Sequence, residues 1–462
     1  MHTSGIQAFR KSSPISSLLR ALMSAILIGG VVAFATCSAL DSEERDNVVL
    51  IIIDTIRPDR LGCYGYSLPT SPNIDRFASE GTLFTQAVTC APVTLPSVSA
   101  ILTSTYPVFN NVRYNGLFFL DDSALTLAEI LKERGYTTAA FIGAFPLDSR
   151  FKVNQGFEVY DADFSDSVKN AERTWIGHEV KGFERTAAEV NERAIPWLSK
   201  NRDKRFFLMV HYFDPHWPHE SPSPEYAEKF KSPYNAEVAY TDEQTGRLLE
   251  AIDALGLREN TLVVLTGDHG EGLGAHGELT HGTYIFDTTV LIPLILRHPN
   301  RIPQGSTVEH MVRSIDIMPT ILDFLRIPAG PHTQGTSLLP ALKGEFQSQP
   351  ILLETHLPYY ESGDTGHLPM KVSGLRTQEW KLVYATGEKD GQPFHVAELY
   401  NVKKEPLELF NVAQQNPETF SRLMNDMNAL IQKHSVGAVT SNSFGEMDDE
   451  TRQKLRSLGY LK

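Results

Sequence analysis

Cysteine is scarce: the chain has three, Cys37, Cys63 and Cys90, and no Cys-x-x-Cys pair. That excludes a zinc–thiolate centre. Cys63 and Cys90 can form one disulfide in an oxidising compartment or stay as two buried thiols. Blocks of Lys and Arg are missing too, and the formal charge is −14. A nucleic-acid partner is thereby excluded. The acidity favours solubility and does not forbid an anionic substrate, because a bound metal ion dominates its local field. No internal repeat and no long low-complexity tract is present, which excludes a solenoid. Long apolar runs are absent except for residues 21–36, which follow Arg10, Lys11 and Arg20. That run is short for a membrane span and suits a signal-peptide core. Cys37 closes it, where a bacterial lipoprotein carries its lipid. Residues 1–40 therefore read as a signal peptide or an N-terminal membrane or lipid anchor. The protein is expected to be exported, to a periplasm or an outer surface.

What remains is large. Of 462 residues, 41% are apolar, enough for a sizeable core. Residues 48–53, 206–212 and 261–265 are continuous apolar runs, the pattern of strands buried on both faces. Each ends in polar residues: Asp54, then Asp214-Pro215-His216, then Asp268-His269-Gly270-Glu271. In open α/β sheets, sites form beyond the carboxyl ends of the strands. Three such endings point to one shared site. Helical spacing marks 127–134, with Gly135 as its stop, and also 187–199 and 242–255. After Pro340 the character changes. Segments 380–384 and 398–400 read as a small antiparallel sheet, the first as an edge strand, and 420–433 and 449–461 as helices. The expected fold is α/β, with a catalytic domain over 41–345 and a C-terminal subdomain over 346–462.

Thr94, followed by Leu95-Pro96, looks like a helix start with Thr94 as N-cap. A hydroxyl there meets free N–H groups and the positive dipole end, where an anion is favoured. Asp54, Asp268 and His269 add two carboxylates and one imidazole. With the Thr94 oxygen they make a four-ligand set for a divalent metal. One nitrogen among oxygens suits Zn²⁺ or Mn²⁺ better than Ca²⁺.

These segments resemble a known family. VVLIIIDTIRPDRLGCYGY over 48–66 is similar to the opening of sulfatases. TLPSVSAILTSTYP over 94–107 aligns without gaps to their signature, C/S-x-P-S-R-x-x-L-x-T-G-x-Y-P, with Thr94 in the nucleophile position. TGDHGEGLGAHGELTHG resembles the metal-binding segment of the same alkaline phosphatase superfamily, above all that of phosphoethanolamine transferases. HYFDPHWPH, SIDIMPTILDFL, GLRTQEWKLVY and TRQKLRSLGYL also fit, so the resemblance runs over about residues 47–462. It implies an alkaline-phosphatase-like three-layer sandwich and metal-dependent hydrolysis of a small anionic ester.

It also implies roles. Thr94 is the nucleophile, and Asp54, Asp268, His269 and Thr94 hold the metal. His216 and His281 match substrate-binding histidines of the phosphoethanolamine transferases. One of them protonates the leaving group and then activates water. Arg113, His211, Asp214 and Lys381 are candidates for holding the substrate, and Asp214 with His216 and His281 for a second metal. Two departures matter. Sulfatases oxidise Cys or Ser at the signature's first position to formylglycine, which threonine cannot yield; the signature Arg is Val98. The second ligand Asp of formylglycine sulfatases is Thr55. No formylglycine is expected, and a phosphate mono- or diester is favoured over a sulfate ester. The alternatives are an atypical sulfatase and a head-group transferase.

Overall fold

The computed structural model describes residues 1–2, 46–165, 172–175, 178–181, 183–220, 223–356, 370–389, 392–444 and 447–458. The expected leader, with Cys37, lies outside the described residues apart from Met1 and His2. No helix among the described residues is long and apolar enough to cross a membrane.

The chain builds two main sheets. Strands of the first are β1 (Asn47–Ile53), β2 (Thr82–Val88), β3 (Thr137–Phe141) and β4 (Val159–Asp161). A hairpin, β5 (Glu172–Trp175) and β6 (His178–Lys181), stands apart. The large sheet resumes with β7 (Phe206–Tyr212), β8 (Thr261–Gly267), β9 (Leu291–Arg297) and β10 (Ser306–Arg313). Its order is β10-β2-β9-β8-β1-β7-β3-β4. Only β9 runs against its neighbours. The second sheet is antiparallel: β11 (Ile351–Thr355), β12 (Met370–Arg376), β13 (Lys381–Lys389) and β14 (Gln392–Tyr400).

Every residue of β1, β7 and β8 is buried, as their unbroken apolar runs require. Side chains alternate between two layers of helices. Val48, Leu50, Ile52, Phe207, Met209, Leu262 and Val264 face one layer. Helices α2 (Thr94–Thr103), α3 (Leu127–Glu133) and α6 (Ile317–Phe324) cover that face. Val49, Ile51, Ile53, Leu208, Val210, Val263 and Leu265 face the other. There α1 (Pro72–Ser79), α4 (Ala187–Asn201) and α5 (Pro233–Ala254) pack. The result is the three-layer α/β sandwich, with the sheet mainly parallel. Helix α7 (Pro417–His434) lays Leu423 and Met427 on the small sheet, and α8 (Asp449–Ser457) follows.

Local signals explain several boundaries. Thr126 and Glu129 close a reciprocal capping box on α3, and Gly135 follows at φ +80°. Helix α5 starts nine residues before the expected 242. Ser232 caps it and Pro233 opens it. Its buried face carries Asn235, Glu237, Asp242 and Gln244, which hides the apolar period. Asp242 accepts from the N–H groups of Asn73 and Ile74 at 3.1 and 2.7 Å, tying α5 to the first turn of α1. Cys63 and Cys90 are free thiols in different packing clusters, so the disulfide option fails.

Candidate active site

The site follows from strand parity. Asp54 continues the alternation Val48-Leu50-Ile52, Asp268 continues Leu262-Val264-Thr266, and His211 continues Phe207-Met209. β1 pairs in parallel with β7 and β8, with Ile53 opposite both Tyr212 and Gly267. The Asp54 N–H extends this ladder to Tyr212 O at 2.9 Å. Neighbouring strands lie about 4.8 Å apart, so both aspartates and His211 converge on one face. Helix α2 starts on that face. Thr94 is its first residue and Val93 its N-cap, a shift of one from the expected cap. The Ser97 hydroxyl donates to Asp268 O at 2.7 Å and accepts from Thr89 at 2.8 Å, clamping the helix to the end of β8.

Thr94 Oγ1 donates to Asp54 Oδ2 at 3.3 Å and lies 3.4 Å from His269 Nε2. His269 Nε2 is 3.4 Å from Asp268 Oδ2 and 3.7 Å from Asp54 Oδ1. His211 Nε2 is 3.4 Å from Asp54 Oδ2. All five side chains are fully buried. Bonds of about 2.0–2.2 Å at tetrahedral angles put ligand atoms about 3.3–3.6 Å apart, the spacing seen here. The carboxylates also need a cation. Asp54 Oδ1, Asp268 Oδ2 and both His211 nitrogens lack a hydrogen-bond partner among the described residues. Burial pushes Asp54 well above the carboxylate range, with Glu271 adding to it. Burial and the Asp54 charge push Asp268 up to about 7. A divalent ion relieves both, and the buried Asp54, His211 and Asp268 could hold one. His211, expected as a substrate contact, thus lies in the group that could hold a metal ion.

The histidines are oriented by their second nitrogens. His269 Nδ1–H donates to Gly270 O at 3.0 Å, which leaves Nε2 for the donor cluster. Burial drives His269 and His211 each down to about 4, so both are neutral. His216 stacks on Phe213 with ring centroids 4.1 Å apart. His281 lies 4.9 Å from the His216 ring and 4.4 Å from that of His269. A tight loop delivers it. Gly272 N–H reaches Thr280 O at 2.6 Å, and Glu278 accepts from Thr283 and Tyr284 N–H at 2.7 and 3.1 Å. A Cβ at Gly272 would stand 2.3 Å from Glu278 O, so this turn requires glycine.

Three expected substrate contacts fall elsewhere. Asp214 Oδ2 accepts from Ala187 N–H at 2.7 Å, so its carboxylate caps α4. Lys381 sits inside the small sheet, not at its edge, and is fully buried. Its ammonium holds Asp287 at 2.5 Å, Glu408 at 2.7 Å and Ile285 O at 3.0 Å, leaving no donor for a substrate. Arg113 pairs with Glu354 at 2.9 Å and Asn111 at 2.8 Å. No described contact joins it to Thr94 or the aspartates.

Asn115 escaped notice in the sequence. Its Oδ1 accepts from Leu95 N–H at 2.9 Å, next to Thr94, and its buried Nδ2 has no hydrogen-bond partner among the described residues. Only the spacing to Thr94 across a helix could have marked it. Thr55 is unusual in another way. Its N–H donates to Asp268 Oδ1 at 3.2 Å and its φ is +51°, a left-handed value rare for a β-branched residue.

Comparison with known proteins gives the family. The family model described as "Sulfatase" matches residues 46–327, and that of "N-sulphoglucosamine sulphohydrolase, C-terminal" matches 274–436. An ulvan-active sulfatase of Formosa agariphila is 28% identical over 436 residues, covering 86% of this chain and 82% of that one. An N-acetylglucosamine-6-O-sulfatase of Bacteroides thetaiotaomicron is 24% identical, covering 87% and 89%. Among solved structures, the phosphonate monoester hydrolase of Agrobacterium radiobacter superposes with a TM-score of 0.67 at 20% identity, covering 84% and 96%. With the sulfatase model matching more than half of its length, the chain belongs to the sulfatase family of hydrolases.

Proposed function

We propose that the protein is a metal-dependent hydrolase of phosphate mono- or diesters, with Thr94 as its nucleophile. The observation that carries this reading is Thr94 Oγ1 at 3.3–3.4 Å from Asp54 and His269, in a cluster of uncompensated buried donors. Asp54, Asp268, His269 and His211 would hold the ion. Two imidazoles with two carboxylates suit Zn²⁺ or Mn²⁺. A bound divalent ion neutralises the carboxylates and makes a neighbouring hydroxyl more acidic.

The chain's own residues account for the rest. Thr94 Oγ1 bonds to phosphorus as the ester oxygen leaves. One proton must travel from the Thr94 hydroxyl to that oxygen. Burial holds His281 down at about 3 and His216 well below its ordinary range, so neither is a standing acid. A neutral imidazole takes the Thr94 proton and passes it to the leaving oxygen. In the second half it takes a proton from water, whose oxygen attacks phosphorus, and passes that proton to the departing Thr94 oxygen, which restores both groups. Asn115 Nδ2 and the first turn of α2 donate to the equatorial oxygens. Asn115→Ala is expected to lower kcat about a hundredfold. Steady-state kinetics check this.

A sulfate ester is the second reading, favoured by relatives that bear sulfatase names. The test compares purified holoprotein on p-nitrophenyl sulfate, p-nitrophenyl phosphate and bis-p-nitrophenyl phosphate. EDTA should abolish the fastest reaction and Zn²⁺ or Mn²⁺ should restore it. A dominant rate on the sulfate sinks the phosphate reading; full activity after EDTA with no bound metal sinks metal dependence. An exported location, set by residues 1–40, belongs to the same proposal.

A further inference from the structure

We propose that Glu271 is the positioning residue of His281: its carboxylate keeps the imidazole proton on Nδ1 and turns Nε2 into the proton carrier. This rests on the role given to His281 above. Glu271 Oε1 lies 3.2 Å from His281 Nδ1, and both side chains are buried. The main chain that carries this carboxylate is held by Arg57. Arg57 Nη1 donates to Glu271 O at 2.9 Å, while Arg57 Nε and Nη2 hold Asp59 at 2.9 and 2.7 Å. The short turn from Gly272 to Thr280 brings His281 back onto the side chain ten residues before it.

His269, His216 and His281 differ in what their Nδ1 meets. His269 Nδ1 faces Gly270 O and His216 Nδ1 faces Trp217 O. A carbonyl orients the ring and fixes its tautomer but carries no full charge. The Nδ1 of His281 instead faces a carboxylate. A carboxylate fixes the tautomer and also balances the ring while it carries a second proton. That selects His281 over His216 as the carrier between Thr94 and the leaving oxygen. The second carboxylate oxygen, Oε2, has no hydrogen-bond partner among the described residues and sits 3.9 Å from His219 Nε2.

The test uses Glu271→Gln holoprotein, with metal content and melting temperature measured alongside. Rates are taken on methyl phenyl phosphate and methyl 2,4-dinitrophenyl phosphate, or on the matching aryl sulfates if those are faster. Phenolate is a poor leaving group and needs the proton; dinitrophenolate does not. The variant should lose about a hundredfold in kcat on the phenyl ester, with KM little changed, and only a few-fold on the dinitrophenyl ester. An equal loss on both esters, or none on the phenyl ester, overturns the proposal. Nitrogen-15 spectra of the wild-type histidines, with His281→Gln to assign the ring, read the tautomer without any turnover. A proton on Nε2 of His281 also overturns it. Thr94→Ala separates the two levels: if that variant stays active, the nucleophile reading fails whatever Glu271 does.

Discussion

Thr94→Ala is expected to lower turnover of the best aryl ester by about a thousandfold or more. The substitution removes the one hydroxyl that lies within 3.3–3.4 Å of both Asp54 and His269. What it leaves can still bind the ester and polarise it, so a residual rate above background remains. The fold should not suffer. Thr94 contributes no cap, since Val93 holds that position, and Ser97 still ties α2 to Asp268. Thr94→Ser keeps the oxygen and should stay within about tenfold of the wild type. Burst kinetics or trapping of an ester on residue 94, lost in the alanine variant, check the assignment. Equal rates in wild type and Thr94→Ala would move the nucleophile to water.

Lys381→Met should cost about 3–5 kcal/mol of stability, the usual penalty for stranding buried carboxylates. Lys381 is the shared cation of Asp287 and Glu408, and Arg376 adds a second contact to Asp287 at 3.1 Å. The network ties β13 to the segment that follows His281. Denaturant unfolding measures the loss. A wild-type pH series gives a second check. Burial opposes ionisation of Asp287, but Arg376 and Lys381 outweigh it and hold the carboxyl far below its ordinary range. That stabilisation is complete above the unfolded value of about 4 and fades as pH falls below it. Acid sensitivity below about pH 4 should therefore shrink in Lys381→Met.

Much of this was legible in the chain. Three unbroken apolar runs ending in Asp or His gave the sheet and placed Asp54, Asp268 and His269 together. Period two would also have put His211 on their face, had its register against β1 been known. That register depends on pairing across 159 residues, from Ile52 to His211, and no local pattern carries it. Asp214 misled for the same reason. Its partner is the N-terminus of α4, and a capping Asp looks like a ligand until the helix is in view. Lys381 misled because a lone cation in a strand reads as an edge residue, while here two acids meet it inside the sheet. Asn115 and Glu271 act through contacts made only when loops close, so residue type alone did not single them out.

Thr55 has a meaning for engineering. A threonine at φ +51° costs about 1–3 kcal/mol, held in place by Tyr234, whose hydroxyl donates to its carbonyl at 2.7 Å, and by Asp268. Glycine or asparagine would sit there at ease. A library selected for heat resistance should thus find position 55 early. Either residue keeps the main-chain N–H that donates to Asp268 at 3.2 Å, so the angle of that carboxylate should survive the exchange. Position 55 is where thermal endurance can rise with little loss of speed.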